Sequence, residues 1–179
     1  MATILTVCTG NICRSPVAEL LLREYLDVHV AVSSAGTHAM VGHGIPAELL
    51  MPLDAARVEG RNHEPRQLTE SIARGADLII AMAGDHRTRI VQESPSALRR
   101  TFLLDELAKA ARASTPLEGD DAESRLASVP DAIQAIRPEL AGMAIEDVPD
   151  PYRRSQADYD RSFAMIHDAV RDISAWVRG

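Results

Sequence analysis

Aromatic side chains are scarce in this chain: two Phe, three Tyr and one Trp make up 3% of 179 residues. Its core must therefore be aliphatic, which the 46% hydrophobic content allows. Cysteine is nearly missing too. The only two, Cys8 and Cys13, are five positions apart. They make a poor disulfide framework and fit thiols with a chemical task, or small buried hydrophobes, in a reducing compartment. Basic charge is in deficit, with a formal net charge of −7. That argues against a nucleic-acid binder, which needs a basic face, while leaving a small anion pocket open. Long hydrophobic runs are missing as well. The opening MATILTVCTG has no basic segment ahead of its short apolar stretch. Neither a secretory leader nor a membrane anchor is expected, and the expected location is the cytoplasm. The chain also lacks the G-x-x-x-x-G-K-[ST] nucleotide loop, internal repeats and low-complexity tracts.

What is present is an alternation of short apolar runs with helical patterns. TILTV at Thr3–Val7 is apolar on both faces, as a central strand of a parallel sheet requires. Ser15-Pro16 then predicts a helix, with Ser15 as N-cap, Pro16 at the first helical position and Glu19 in the first turn. Val17, Leu20, Leu21, Tyr25 and Val28 recur at helical spacing. Val30–Ser33 is a second strand, ended by Gly36, and its connection to the first is expected to be right-handed. Pro46–Val58 is expected to be helical and divided by Pro52. Asp77–Met82 is a third strand, Gly84–Gln92 a helix and Thr101–Leu104 a fourth strand. Between Arg112 and Met143 the pattern weakens: STPLEGDD is loop chemistry, and Pro130–Leu140 is a candidate for an added amphipathic helix. Tyr159, Phe163, Ile166, Val170, Ile173 and Val177 step by three or four, predicting a long closing helix with one apolar stripe. The expectation is one α/β domain over 1–179: three layers, αβα, around a central four-stranded parallel sheet, with an insertion at about 112–143. Ligands of such sheets bind at the carboxyl ends of the strands, where Cys8–Arg14 falls.

A loop that joins a strand to a helix amino terminus presents unpaired amides and the positive end of the helix dipole, which makes an anion site. Gly10 is expected to supply a positive φ that lets successive amides converge. Arg14 offers a planar fork for two phosphate oxygens. Cys8, first in the loop, would aim its sulfur at the anion, and the same positive field favours the thiolate. A nucleophile and a phosphate cradle in one loop imply attack on phosphorus, a phosphocysteine and then hydrolysis, with no metal or other cofactor required. The leaving oxygen needs a proton, so a carboxylic acid must come from elsewhere in the chain. Chance occurrence of Cys-x5-Arg and plain packing of Cys8 are the bland alternatives, and Cys-x4-Cys alone offers too few ligands for a metal site.

CTGNICRSP resembles the signature loop, C-x5-R-[ST], of the low-molecular-weight protein tyrosine phosphatases. The resemblance continues through SAGT (34–37), HEPRQLT (63–69), ADLIIAM (76–82) and DPY (150–152), in the order of that family. It implies Cys8 as nucleophile, Arg14 as phosphate-binding arginine and Asp150 as general acid and base. Asp147 and Glu146 are nearby rivals that lack the Pro-Tyr following the family's acid. It also implies that Ser15 stabilises the thiolate, and that Asn11 fixes the loop's shape through Ser34 and His63. Thr9, Gly10, Ile12, Cys13, Met40 and Tyr152 would complete the substrate pocket, and Tyr152 would stack on the substrate ring. Cys13 would form a reversible disulfide with an oxidised Cys8, the alternative being mere filler. The expected partner is a phosphotyrosine protein, a tyrosine kinase among the candidates, acting with a monomer.

Ile12 stands where relatives that hydrolyse phosphoarginine tend to carry Thr, which disfavours a protein-arginine phosphatase. Met40, Arg153 and Ala83 depart from the best-known members and bear on substrate preference. Arg153 and Arg154 are either solvated charge or a preference for acidic sequences. A thiol-linked arsenate reductase would need a further redox pair of cysteines, which the chain lacks. A pseudophosphatase that only binds phosphopeptides is disfavoured by the presence of Cys8, Arg14, Ser15 and Asp150 together.

Overall fold

Side chains that alternate along β1 (Ala2–Cys8) part to opposite faces of one sheet. It pairs in parallel with β2 (Val30–Gly36) on one side and β3 (Leu78–Ala81) on the other, and β4 (Thr101–Leu103) extends the sheet beyond β3. The computed structural model describes residues 1–26 and 29–179, so Val28, expected on the first helix, lies outside the described residues. Ile4, Leu78 and Ile80 enter the larger core with Val17 and Leu21 of α1 (Arg14–Tyr25), Leu107 of α5 (Leu104–Arg112) and Ile166 of α8 (Gln156–Arg178). Leu5, Val7, Ile79 and Ala81 enter a smaller core with Ala73 of α3 (Glu70–Arg74) and Ile90 of α4 (Gly84–Glu93). Helices cover both faces, which is why these strands carry apolar residues at every position. The result is the expected three-layer α/β fold around a four-stranded parallel sheet.

The sheet order β2-β1-β3-β4 creates the site. After β1 the chain leaves through α1 on the large-core face, whereas after β3 it leaves through α4 on the other. The two exits diverge, opening a crevice at the carboxyl ends of β1 and β3.

Several local expectations are corrected. α1 begins at Arg14, with Cys13 in the cap position and no side-chain cap. Ser15 therefore lies inside the helix, and Glu19 belongs to its second turn. Pro52 does not divide its helix: α2 (Ala47–Ala55) runs through it. A proline in a helix deprives the carbonyl four residues back of its donor. Here that carbonyl, of Glu48, accepts Gln156 Nε2 at 3.3 Å. Residues 130–140 do not form one helix. α6 (Ala122–Ala135) starts where Asp121 Oδ1 accepts Ser124 N at 2.8 Å, carries Pro130 inside it, and is followed by the short α7 (Arg137–Ala141). Leu126, Val129 and Ile133 of α6 join the large core. Among the described residues no helix is long and apolar enough to cross a membrane.

Candidate active site

The loop between β1 and α1 is shaped by what its carbonyls do. Those of Cys8, Thr9 and Gly10 accept the amides of Thr37, His38 and Met40, each at 2.9 Å. The carbonyl of Asn11 meets His63 Nε2 at 2.7 Å. In a trans peptide the N–H points away from its carbonyl, so the amides of residues 9 to 12 turn from these partners toward the loop's centre. Gly36, beside Cys8 in the ladder, leaves room for this zipper, since a Cβ there would stand 2.5 Å from the Thr9 carbonyl oxygen.

The left-handed turn falls on Asn11, with φ 54°, and not on Gly10 as expected. Asparagine tolerates that region because its short amide can bond nearby groups. Here the amide is fully engaged: Oδ1 accepts Arg66 N at 2.9 Å, and Nδ2 donates to Ser15 Oγ at 2.9 Å and Ser34 Oγ at 2.7 Å. An amide nitrogen only donates, so the Ser15 hydroxyl keeps its own hydrogen for Cys8 Sγ, 3.0 Å away. On the other side Ser34 donates to Glu19, whose carboxylate also holds Arg23 at 2.5 Å. Asn11, Ser15, Ser34 and Glu19 are all buried. This explains why Ser15 does not cap the helix.

The cavity in front of the loop encloses about 190 Å³ and is lined by Cys8, Thr9, Gly10, Ile12, Cys13 and Arg14 from the loop itself. Met40, Asp150, Tyr152 and His38, which the sequence reading did not include, form its rim. Arg14 is 6% exposed and joins Asp150 through Nη2 at 3.0 Å and the Val148 carbonyl through Nη1 at 3.2 Å. Its buried Nε has no protein partner among the described residues, a donor suited to an anion. Asp147 faces elsewhere: its Oδ1 accepts the Gly84 amide at 2.9 Å, while Val148 N reaches the Met82 carbonyl at 2.8 Å. The backbone bond anchors the loop that carries Asp150 to the exit of β3. Arg153 lies over the Tyr152 ring, 5.1 Å from its centroid. Burial foremost, then the neighbouring Cys8 and Asp150, pushes the Cys13 thiol up to about 12.

Sequence reasoning missed four residues that shape this site. Glu19 looks like ordinary first-turn charge until the helix is seen to start two residues earlier than expected. Arg66 joins the cluster through its backbone amide and through Nε, which donates to the Ser34 carbonyl at 2.6 Å. His38 follows the SAGT segment directly, which was the available signal. His86 is 5% exposed and touches Thr9. Nothing local distinguishes it from a surface histidine.

A loop of inward amides, a buried arginine with a free donor, a sulfur bonded to a hydroxyl and a carboxylate across the cavity define a site for handling a phosphoryl group. A sequence profile of the family described as low molecular weight phosphotyrosine protein phosphatase matches residues 3–146. The chain belongs to that family. The low molecular weight protein-tyrosine-phosphatase Etp of Escherichia coli (strain K12) is 33% identical over 172 residues, covering 95% of this chain and 90% of the relative. The probable low molecular weight protein-tyrosine-phosphatase EpsP of Ralstonia solanacearum is 30% identical over 175 residues, covering 98% and 93%. The solved structure of Vibrio vulnificus Wzb in complex with benzylphosphonate is similar with a TM-score of 0.70 at 27% identity, covering 98% of this chain and 97% of that one.

Proposed function

We propose that this protein hydrolyses phosphotyrosine monoesters on proteins, with Cys8 as nucleophile, Arg14 as phosphate binder and Asp150 as general acid and base. The observation that carries this reading is the joint placement of Cys8 Sγ, Arg14 and Asp150 on one small cavity. In the first step the thiolate form of Cys8 attacks phosphorus. The sulfur–phosphorus bond forms as the bond to the tyrosyl oxygen breaks, and protonated Asp150 delivers its proton to that oxygen. In the second step Asp150, now a carboxylate, takes a proton from water as the water oxygen attacks phosphorus. Inorganic phosphate leaves and the thiolate is restored. The inward amides and Arg14 carry the charge that develops on the equatorial oxygens.

Ile12 and Tyr152, both lining the cavity, supply apolar walls for a flat aryl group. A benzylphosphonate occupant in the Vibrio relative agrees with that chemistry. Within the same proposal, Cys13 resolves an oxidised Cys8: peroxide converts the Cys8 thiol to a sulfenic acid and water, and Cys13 then displaces a second water to form the disulfide. The expected setting is cytoplasmic, acting as a monomer on a phosphotyrosine protein such as a tyrosine kinase.

The test compares phosphotyrosine, phosphoserine and phosphoarginine peptides on native protein, Cys8→Ser and Asp150→Ala. Phosphotyrosine preference, no turnover by Cys8→Ser, and a loss of about 10²–10⁴ in kcat for Asp150→Ala are expected. The last loss should shrink on aryl phosphates whose leaving groups need no proton. Equal turnover of phosphoarginine, or activity surviving Cys8→Ser, overturns the reading.

A further inference from the structure

α4 leaves β3 on the opposite face from α1, yet its first turn returns to the phosphate loop. His86, the third residue of α4, is 5% exposed and places Nε2 2.9 Å from Thr9 Oγ1. Thr9 directly follows Cys8. Its carbonyl is already bonded to the His38 amide at 2.9 Å, so His86 holds the same residue from the other side. The second ring nitrogen, Nδ1, is buried without a protein hydrogen-bond partner among the described residues.

An aliphatic side chain would fill this position without burying an unsatisfied nitrogen. A histidine here therefore contributes something beyond packing, and the contribution available is the bond to Thr9. The ring is kept neutral: burial foremost, then the Arg14 guanidinium, holds its pKa down to about 4, while Asp150, Asp147 and Asp85 pull the other way. A neutral ring adds no charge beside Arg14, so the loop's field is set by Arg14 and the amides.

We propose that His86 is a positioning residue for phosphoryl transfer: by fixing the Thr9 side chain it fixes the peptide unit next to the nucleophile, and with it the amide that meets a phosphoryl oxygen. The proposal rests on the phosphatase reading above. It predicts that losing the bond weakens anion binding and chemistry together, whereas a merely structural histidine would affect only stability.

The experiment uses full-length protein and measures two quantities, the Kd for inorganic phosphate by calorimetry and kcat/KM on a phosphotyrosine peptide. The variants are His86→Leu, His86→Gln, Thr9→Val and the double variant His86→Leu with Thr9→Val. His86→Leu and Thr9→Val should each weaken phosphate binding and lower kcat/KM by about tenfold. The double variant should be no worse than either single, since one bond is removed in all three. His86→Gln, which can return an N–H toward Thr9, should recover to within about threefold of native. Losses that multiply in the double variant, or an unchanged Kd in folded His86→Leu, overturn the proposal. If His86→Leu fails to fold, Thr9→Val and His86→Gln decide the matter alone: an unchanged Kd in Thr9→Val overturns it. Native protein that binds phosphate but hydrolyses nothing sinks the phosphatase reading and leaves the binding arm for His86 standing. Native protein that does neither sinks both.

Discussion

The floor of the cavity and its rim are built on opposite plans. The floor is a closed polar network: Asn11, Ser15 and Ser34 are each 2% exposed or less, and each side chain bonds another within the cluster. The rim, from His38 to Gly44 and from Asp150 to Arg154, is mostly open to solvent and, the Arg14–Asp150 ion pair apart, is held mainly through its backbone amides. Removing one member from a buried network leaves several groups unsatisfied, whereas removing one rim residue leaves water in its place. The floor therefore fixes the shape of the loop, and the rim, Asp150 apart, has more freedom to vary.

The sharpest way to break this contrast is Asn11→Ala. It strips partners from Ser15, Ser34 and the Arg66 amide and puts a residue with no local side-chain bond at φ 54°. A loss of about 3–5 kcal/mol in urea unfolding is expected, with kcat/KM falling at least about 100-fold. Next comes acid. The His86 pKa is lowered on folding from 6.5 to about 4, so between those values only the unfolded chain takes up the proton. Its contribution is complete above pH 6.5 and lost as pH falls toward 4, about 3 kcal/mol in all. Denaturant titrations of native protein and His86→Gln across that window should diverge by this amount; parallel curves would refute it. Tyr152→Ala should raise KM on phosphotyrosine peptides by about three- to tenfold with kcat nearly unchanged, a rim effect in kind and size. Arg153→Ala, which removes the side chain that carries the guanidinium over that ring, should change KM by less than about threefold.

The same division governs how much could be read from the residues in order. β1, the loop and the closing helix announce themselves through local signals: a doubly apolar strand, CTGNICRSP, and a stripe of period three to four. The strands were legible because both sheet faces are covered. The network behind the loop was only partly so. Glu19, Arg66 and His86 come from three separate segments, and Arg66 and His86 reach the loop only through the fold, which no local pattern encodes. The residues in order point to Gly10 for the positive φ that Asn11 adopts, because glycine is the usual choice, while the side-chain bonds that let asparagine adopt it are tertiary. In the 112–143 stretch the start of α6 depends on the Asp121 cap, and Pro130 misled because a proline more often opens a helix than sits within one.

The ion pair between Arg14 and Asp150 has a consequence for selectivity among anions. A carboxylate tethered 3.0 Å from the guanidinium acts as a built-in competitor at high effective concentration. Chloride or another weak monoanion must displace it for a single new contact. A phosphoryl dianion meets the guanidinium and several amides at once, and the Asp150 carboxylate it evicts is left free to take up a proton. In the proposed reaction, arrival of the correct cargo thus releases the carboxyl group that must be protonated before it can serve the leaving group.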